Sequence, residues 1–263
     1  MKWIKGFLIN LQFFTSIPIP IALPMDQGHL RHAIKTFPIL GLFQGLLYAL
    51  ILFLLTEWSP FSALAIAFLL WLLTIVITGG IHLDGWMDAS DAYFSYQSTE
   101  KRLEIMSDPR TGAFGVLSVL VLLSSRFLFI YEIIERVNLV SYLLIALIPF
   151  FSKLVMGMLL LTVPSAKDKG LAIMFQQAAK PSSLAAYPFY IVICIALLTF
   201  LDLYLIVLAL ILNLVALGCY FVIRAKVRRW FGGITGDVVG ASVEGTEILL
   251  WMTVWLLHYF VMG

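Results

Sequence analysis

The sequence predicts an all-α integral membrane protein, with about seven transmembrane helices and an N-terminal interfacial segment. Three observations lead there. Of the 263 residues, 62% are hydrophobic and only 12% are charged, whereas soluble domains carry about 25% charge. Apolar runs long enough to cross a bilayer recur along the chain. Those runs do not alternate with period two, so helices and not strands are the spanning elements. The net charge of +2 names no partner by itself, and no basic run suits nucleic acid.

Residues 1–36 form the interfacial segment. Lys2 and Lys5 precede an apolar stretch over 7–14 that is too short to span and is ended by Pro18 and Pro20. A polar connector with Asp26, His29, Arg31, His32 and Lys35 follows. Hydropathy then places seven spans at 37–57, 61–79, 113–132, 139–162, 184–201, 203–223 and 239–261. The fifth and sixth are joined tightly around Asp202, because roughly 40 residues would make some 60 Å of helix. The whole chain, 1–263, reads as one polytopic domain. Its connectors at about 80–112, 163–183 and 224–238 carry the polar chemistry. Cys194 and Cys219 lie inside apolar runs and read as packing residues.

Orientation follows from the basic residues. Of the 17 Lys and Arg, all but Arg126, Arg136 and Lys153 fall on the side of the N-terminus and those three connectors. The positive-inside rule therefore places the N-terminus and the connectors in the cytoplasm.

The densest polar stretch is Thr78-Gly79-Gly80-Ile81-His82-Leu83-Asp84-Gly85-Trp86-Met87-Asp88-Ala89-Ser90-Asp91. On a helix, Asp84, Asp88 and Asp91 fall within roughly a 60° arc. Three stacked carboxylates repel one another, and hard oxygen donors favour Mg²⁺ or Mn²⁺. The alternative is a solvated acidic loop between spans. A second motif is Asp108-Pro109-Arg110-Thr111-Gly112-Ala113-Phe114-Gly115. Pro109 fixes the bend at Asp108, and Arg110 offers a planar fork to phosphate. A third runs from Gly232-Gly233-Ile234-Thr235-Gly236-Asp237 to Glu244 and Glu247. Glycines ahead of a helix start suit a phosphate, and Gly233 and Gly236 are the candidates. Asp237, Glu244 and Glu247 share a face of roughly 80°. Arg126 and Lys153 lie at similar depth inside spans, where they would hold a phosphate or merely pair with Glu244 and Glu247.

The three motifs resemble those of the cobalamin synthase family, as do Phe13-Phe14-Thr15-Ser16-Ile17-Pro18-Ile19-Pro20 and Phe37-Pro38-Ile39-Leu40-Gly41. The resemblance runs in order from about residue 7 to 250. It implies a Mg²⁺-dependent enzyme of a prokaryotic (inner) membrane, active on the cytoplasmic face. Such enzymes are adenosylcobinamide-GDP ribazoletransferases. They join α-ribazole, or its 5′-phosphate, to adenosylcobinamide-GDP and release GMP. The bilayer is the other partner, and a homo-oligomer or a complex with other late-pathway enzymes is compatible with the resemblance. Ser16 and Ser107 depart from the family pattern where a basic residue is frequent. Lys153 and Lys167 stand in place of arginine, and Arg126 in place of lysine. On this basis Asp84, Asp88, Asp91, Glu244 and Glu247 are expected metal ligands, and His82, Asp108 and Asp237 expected catalytic groups. Arg110, Arg126, Lys153, Lys167, Gly233 and Gly236 would bind substrate. A lipid phosphotransferase of the CDP-alcohol type and a cation transporter are the rival readings. Met87-Asp88 replaces the Ala-Arg of the former's signature, and most acids lie near one membrane face, unlike a transporter's path.

Overall fold

A computed structural model describes residues 2–200 and 203–262. Among these residues the only extended pairing is an isolated bridge between Ser165 and Ile234; the regular structure is otherwise helical. The helices are α1 (Lys2–Phe14), α2 (Gln27–Lys35), α3 (Phe37–Trp58), α4 (Ala63–Thr78), α5 (Ile81–Phe94), α6 (Thr99–Ile105) and α7 (Ala113–Ile134). They continue with α8 (Leu139–Thr162), α9 (Leu171–Ala178), α10 (Ala186–Thr199), α11 (Leu203–Phe231) and α12 (Gly236–Phe260). A 3₁₀ turn, Pro181–Ala185, leads into α10.

Five helical stretches are each long and apolar enough to cross a membrane: α3, α7, α8, Pro181–Thr199 and α11. The α4 helix meets the same test only together with α5, across a bend of 85°, which makes six. The expected count of seven is not confirmed. Its last member, α12, has 25 residues but carries Asp237, Glu244 and Glu247 in its first half. Asp202, the expected junction between the fifth and sixth spans, lies outside the described residues. The α11 helix continues two turns past its expected end and keeps Arg224, Lys226, Arg228 and Arg229 helical. No glycine or proline lies between residue 223 and Gly232, and cations in a last turn favour the helix.

The centre of the bundle is α8. Its most apolar stretch is 89% buried, against 17–33% for the other spans. The other spans therefore present most of their apolar surface outward, as a bilayer requires. Gly41 and Gly45 let α3 lie directly on α8: a β-carbon at either would collide with the backbone at Pro149 or Ala146. Small residues spaced this way permit close helix contact where water supplies no driving force. The α1–α2 hairpin is closed by Asn10, whose Nδ2 donates to Ala33 O at 2.8 Å and Thr36 Oγ1 at 2.9 Å. Ser16 then ties this segment to the end of α4, donating from Oγ to Val76 O at 2.6 Å.

The bend after α4 has a local cause. Gly79 and Gly80 are consecutive left-handed residues, with φ of 61° and 75°, a conformation that costs a residue with a β-carbon. It swings α5 off the α4 axis and lays it against α7 and α12.

Close α3–α8 contact predicts a simple stability pattern. Gly45→Ala should lower the unfolding temperature in detergent, at an overpacking cost of about 1–3 kcal/mol. Gly218→Ala on α11, with nothing within 4 Å of the added carbon, should not. Equal melting of both variants would contradict the contact.

Candidate active site

Three connectors meet at one end of the bundle. Ile234 N donates to Pro164 O at 2.8 Å, and Ala166 N donates to Ile234 O at 2.9 Å. Lys167, in the loop so fixed, donates from Nζ to Ser107 Oγ at 2.8 Å and lies 3.8 Å from Asp237 Oδ2. Asp237 is in the first turn of α12, capped by Thr235, whose Oγ1 accepts from Val238 N at 3.2 Å. Gly85 sits against the Asp237 backbone, where a β-carbon would stand 2.6 Å from its carbonyl oxygen. That close approach brings the acids of α5 to Asp237.

The expected helix carrying Asp84, Asp88 and Asp91 is present as α5, but its three carboxylates have separate surroundings. Asp84 is exposed and Asp88 half-buried. Asp84, Asp237 and Asp91 all lie near enough to Asp88 to repel its charge, with Lys167 the opposing charge. Asp91 faces the start of α7 and accepts from Gly112 N at 2.6 Å and Gly115 N at 2.8 Å. Its carboxylate caps that helix, where the helix dipole favours an anion.

Glu244 and Glu247 belong to another assembly. Glu244 pairs with Arg126, and Glu247 accepts from Ser152 Oγ at 2.8 Å and Lys153 Nζ at 3.4 Å. All four charged residues are buried, none more than 6% exposed. Of the five expected metal ligands, Asp91 thus accepts from backbone amides and both glutamates pair with cations, while Asp84 and Asp88 have no such partner among the described residues. Arg126 and Lys153, expected at substrate, are each paired with one of these buried glutamates. Among the described residues no group of three or more His, Cys, Asp or Glu side chains is poised to hold a metal. Asp84 and Asp88 still fit a Mg²⁺ ion, because Mg²⁺ usually takes one or two carboxylates and completes its shell with water and substrate phosphate. Crowding of like charge at Asp88 favours a cation there.

The Asp108 motif is also self-contained. Arg110 donates from Nε to Asp108 Oδ1 at 3.0 Å and from Nη2 to Oδ2 at 2.6 Å. This fork holds the half-buried Asp108 carboxyl at about 2, below its ordinary 3.8. A carboxylate so acidic is a poor proton acceptor at neutral pH. Gly233 is packed against Pro164 and Ser165, where a β-carbon would collide, so close packing of the connectors requires a glycine there. Gly236 has open space around it and can let a ligand reach the backbone.

His82 is 2% exposed, and its Nε2 has no hydrogen-bond partner. It lines a cavity of about 220 Å³ together with Phe14, Phe37, Phe175, Asp84 and Asp237. Sequence reasoning missed the three phenylalanines. Phe14 and Phe37 stood inside recognisable motifs, but Phe175 carried no signal. A larger apolar groove of about 740 Å³ lies along the other side of α5, walled by Trp86, Phe94, Phe114 and Trp230.

Comparison with known proteins gives this corner a context. The model of the cobalamin-5-phosphate synthase family matches residues 6–255. A Geobacillus sp. (strain WCH70) protein named adenosylcobinamide-GDP ribazoletransferase is 40% identical, covering 98% of both chains. A protein of the same name from Geobacillus kaustophilus is 39% identical over 98% of both, and one from Halalkalibacterium halodurans is 34% identical over 96% and 95%. No solved structure matches. With near end-to-end similarity and all three polar motifs inside the matched residues, the chain belongs to the cobalamin-5-phosphate synthase family.

Proposed function

We propose that this protein joins α-ribazole, or its 5′-phosphate, to adenosylcobinamide-GDP and releases GMP. The observation that carries the reading is the end-to-end similarity to proteins named for that transfer, combined with an acidic corner beside Lys167. The acceptor oxygen forms a bond to the phosphorus attached to cobinamide, and the bond from that phosphorus to GMP breaks. Asp84 and Asp88 would hold Mg²⁺, which when bound supplies charge neutralisation to the diphosphate. Asp237 faces the acceptor cavity and takes the proton of an attacking hydroxyl. Lys167 steadies the departing phosphate. Positioning and electrostatics suffice for such a displacement, without a covalent enzyme intermediate. The rival lipid-transferase reading has no support from the relatives. A cation path is disfavoured because Glu244 and Glu247 are already bound to cations.

The proposal places this end of the bundle in the cytoplasm, in the inner membrane of a prokaryote, because the Lys and Arg residues gather on its connectors. A reporter active only in the cytoplasm should work when fused at Glu100. One active only outside should work at Pro60. The reverse pattern would overturn the orientation.

Purified protein in detergent should convert adenosylcobinamide-GDP and α-ribazole to a product of the joined mass, with GMP in equal amount. Asp84→Asn and Asp237→Asn should each lower kcat about a hundredfold or more while leaving the melting temperature close to wild type. Asp91→Asn should act differently. It weakens two hydrogen bonds to α7, so it should cost about 1–3 kcal/mol of stability. Full activity in a folded Asp84 or Asp237 variant would remove that residue from the mechanism.

A further inference from the structure

The cavity beneath α9 has two unlike ends. Phe14, Phe37, Phe175 and His82 are each at most 8% exposed and form its inner wall. The three phenylalanine rings pack on one another at centroid distances of 5.6, 6.3 and 5.8 Å, and Phe14 stacks on His82 at 5.8 Å. Asp84 is exposed and Asp237 half-buried, so these acids mark the open end. Gly236, with open space around it, lines the same cavity and keeps the first turn of α12 accessible. A buried imidazole nitrogen without a partner is costly unless a ligand supplies the hydrogen bond.

We propose that this cavity seats the aromatic base of the nucleoside acceptor, with the base among the three phenylalanines and His82 and the sugar at Asp84 and Asp237. The assignment rests on the transfer reaction given under Proposed function. Its volume, about 220 Å³, falls below the roughly 300–1,000 Å³ of pockets that enclose a drug-sized ligand. It therefore fits a bicyclic ring system and excludes the far larger corrinoid. The 740 Å³ groove is no substitute. Lys226 is the one charged residue on its wall, and neither Asp84 nor Asp237 reaches it. An acceptor bound there would present its hydroxyl to no acid of the site. In the smaller cavity a flat base gains aromatic contacts, His82 Nε2 gains a hydrogen-bonding partner, and the sugar is left beside the acids.

The test uses the full chain in detergent. Each substrate of wild type and Phe175→Ala is varied with the other saturating, and α-ribazole binding alone is followed by calorimetry. Phe175→Ala should raise KM and Kd for α-ribazole about tenfold or more, a loss of hydrophobic pocket contacts. The KM for adenosylcobinamide-GDP should stay unchanged. The same variant should accept nucleosides with bulkier bases that wild type rejects. If Phe175→Ala does not fold, Phe175→Leu gives the same pattern at smaller amplitude. His82→Phe keeps the ring, removes the hydrogen bond and should also weaken α-ribazole selectively. An unchanged KM and Kd for α-ribazole, or equal rises for both substrates, would overturn the subsite. If wild type shows no transfer, the reaction reading fails. The subsite is then judged by calorimetry alone: binding that weakens in Phe175→Ala supports it, and no binding by wild type overturns it.

Discussion

Two cations and two carboxylates buried inside an apolar bundle persist only as partners, and the pairs Arg126–Glu244 and Lys153–Glu247 decide how the helices stand. Each fixes α12 to a neighbour, α7 through Arg126 and α8 through Lys153. Removing one member of such a pair leaves a buried charge and costs about 3–5 kcal/mol, whereas replacing both with apolar residues is often neutral. The pairs therefore hold register more than they add stability. What that register achieves is visible at the start of α12, where Asp237 lies over Gly85 of α5. A rotation of α12 about its axis would break the pairs and carry Asp237 away from the acids it meets.

Glycine completes the arrangement. The left-handed pair Gly79-Gly80 turns α5 away from α4. Gly85 and Gly240 then let α5 and α12 touch along their backbones, since a β-carbon at Gly240 would stand 3.2 Å from His82 Cα. His82 and Asp84 are thereby held over the start of α12, on the walls of one cavity. The acidic corner thus depends on ion pairs for rotation and on glycines for distance.

Much of this was legible in the sequence. Helical spacing gave α5 and its acids, hydropathy gave most of the spans, and the glycines before Asp237 marked the start of α12. The Lys and Arg pattern pointed to three polar connectors, and these do converge around Lys167, Ile234 and Asp237. What stayed hidden was the partner of each charge. Spacing says which side chains share a helix face and not what that face meets, so Asp91 read as a metal ligand although it caps α7. Asp108 read as a base although Arg110 already binds it. The cavity wall was harder still, because Phe14, Phe37 and Phe175 come from three distant parts of the chain. The extension of α11 past residue 223 was missed because hydropathy falls there while helix formation does not.

The central claim is that substrate phosphates and a divalent cation meet where α5 crosses the start of α12. Iron-mediated backbone cleavage tests it most directly, with Fe²⁺ and peroxide cutting the chain beside the bound ion and peptide masses locating the cuts. The account predicts cuts around Asp84, Asp88 and Asp237 that excess Mg²⁺ suppresses and that Asp84→Asn abolishes. Cuts confined to the neighbourhood of Glu244 and Glu247, or cleavage indifferent to Mg²⁺, would contradict it.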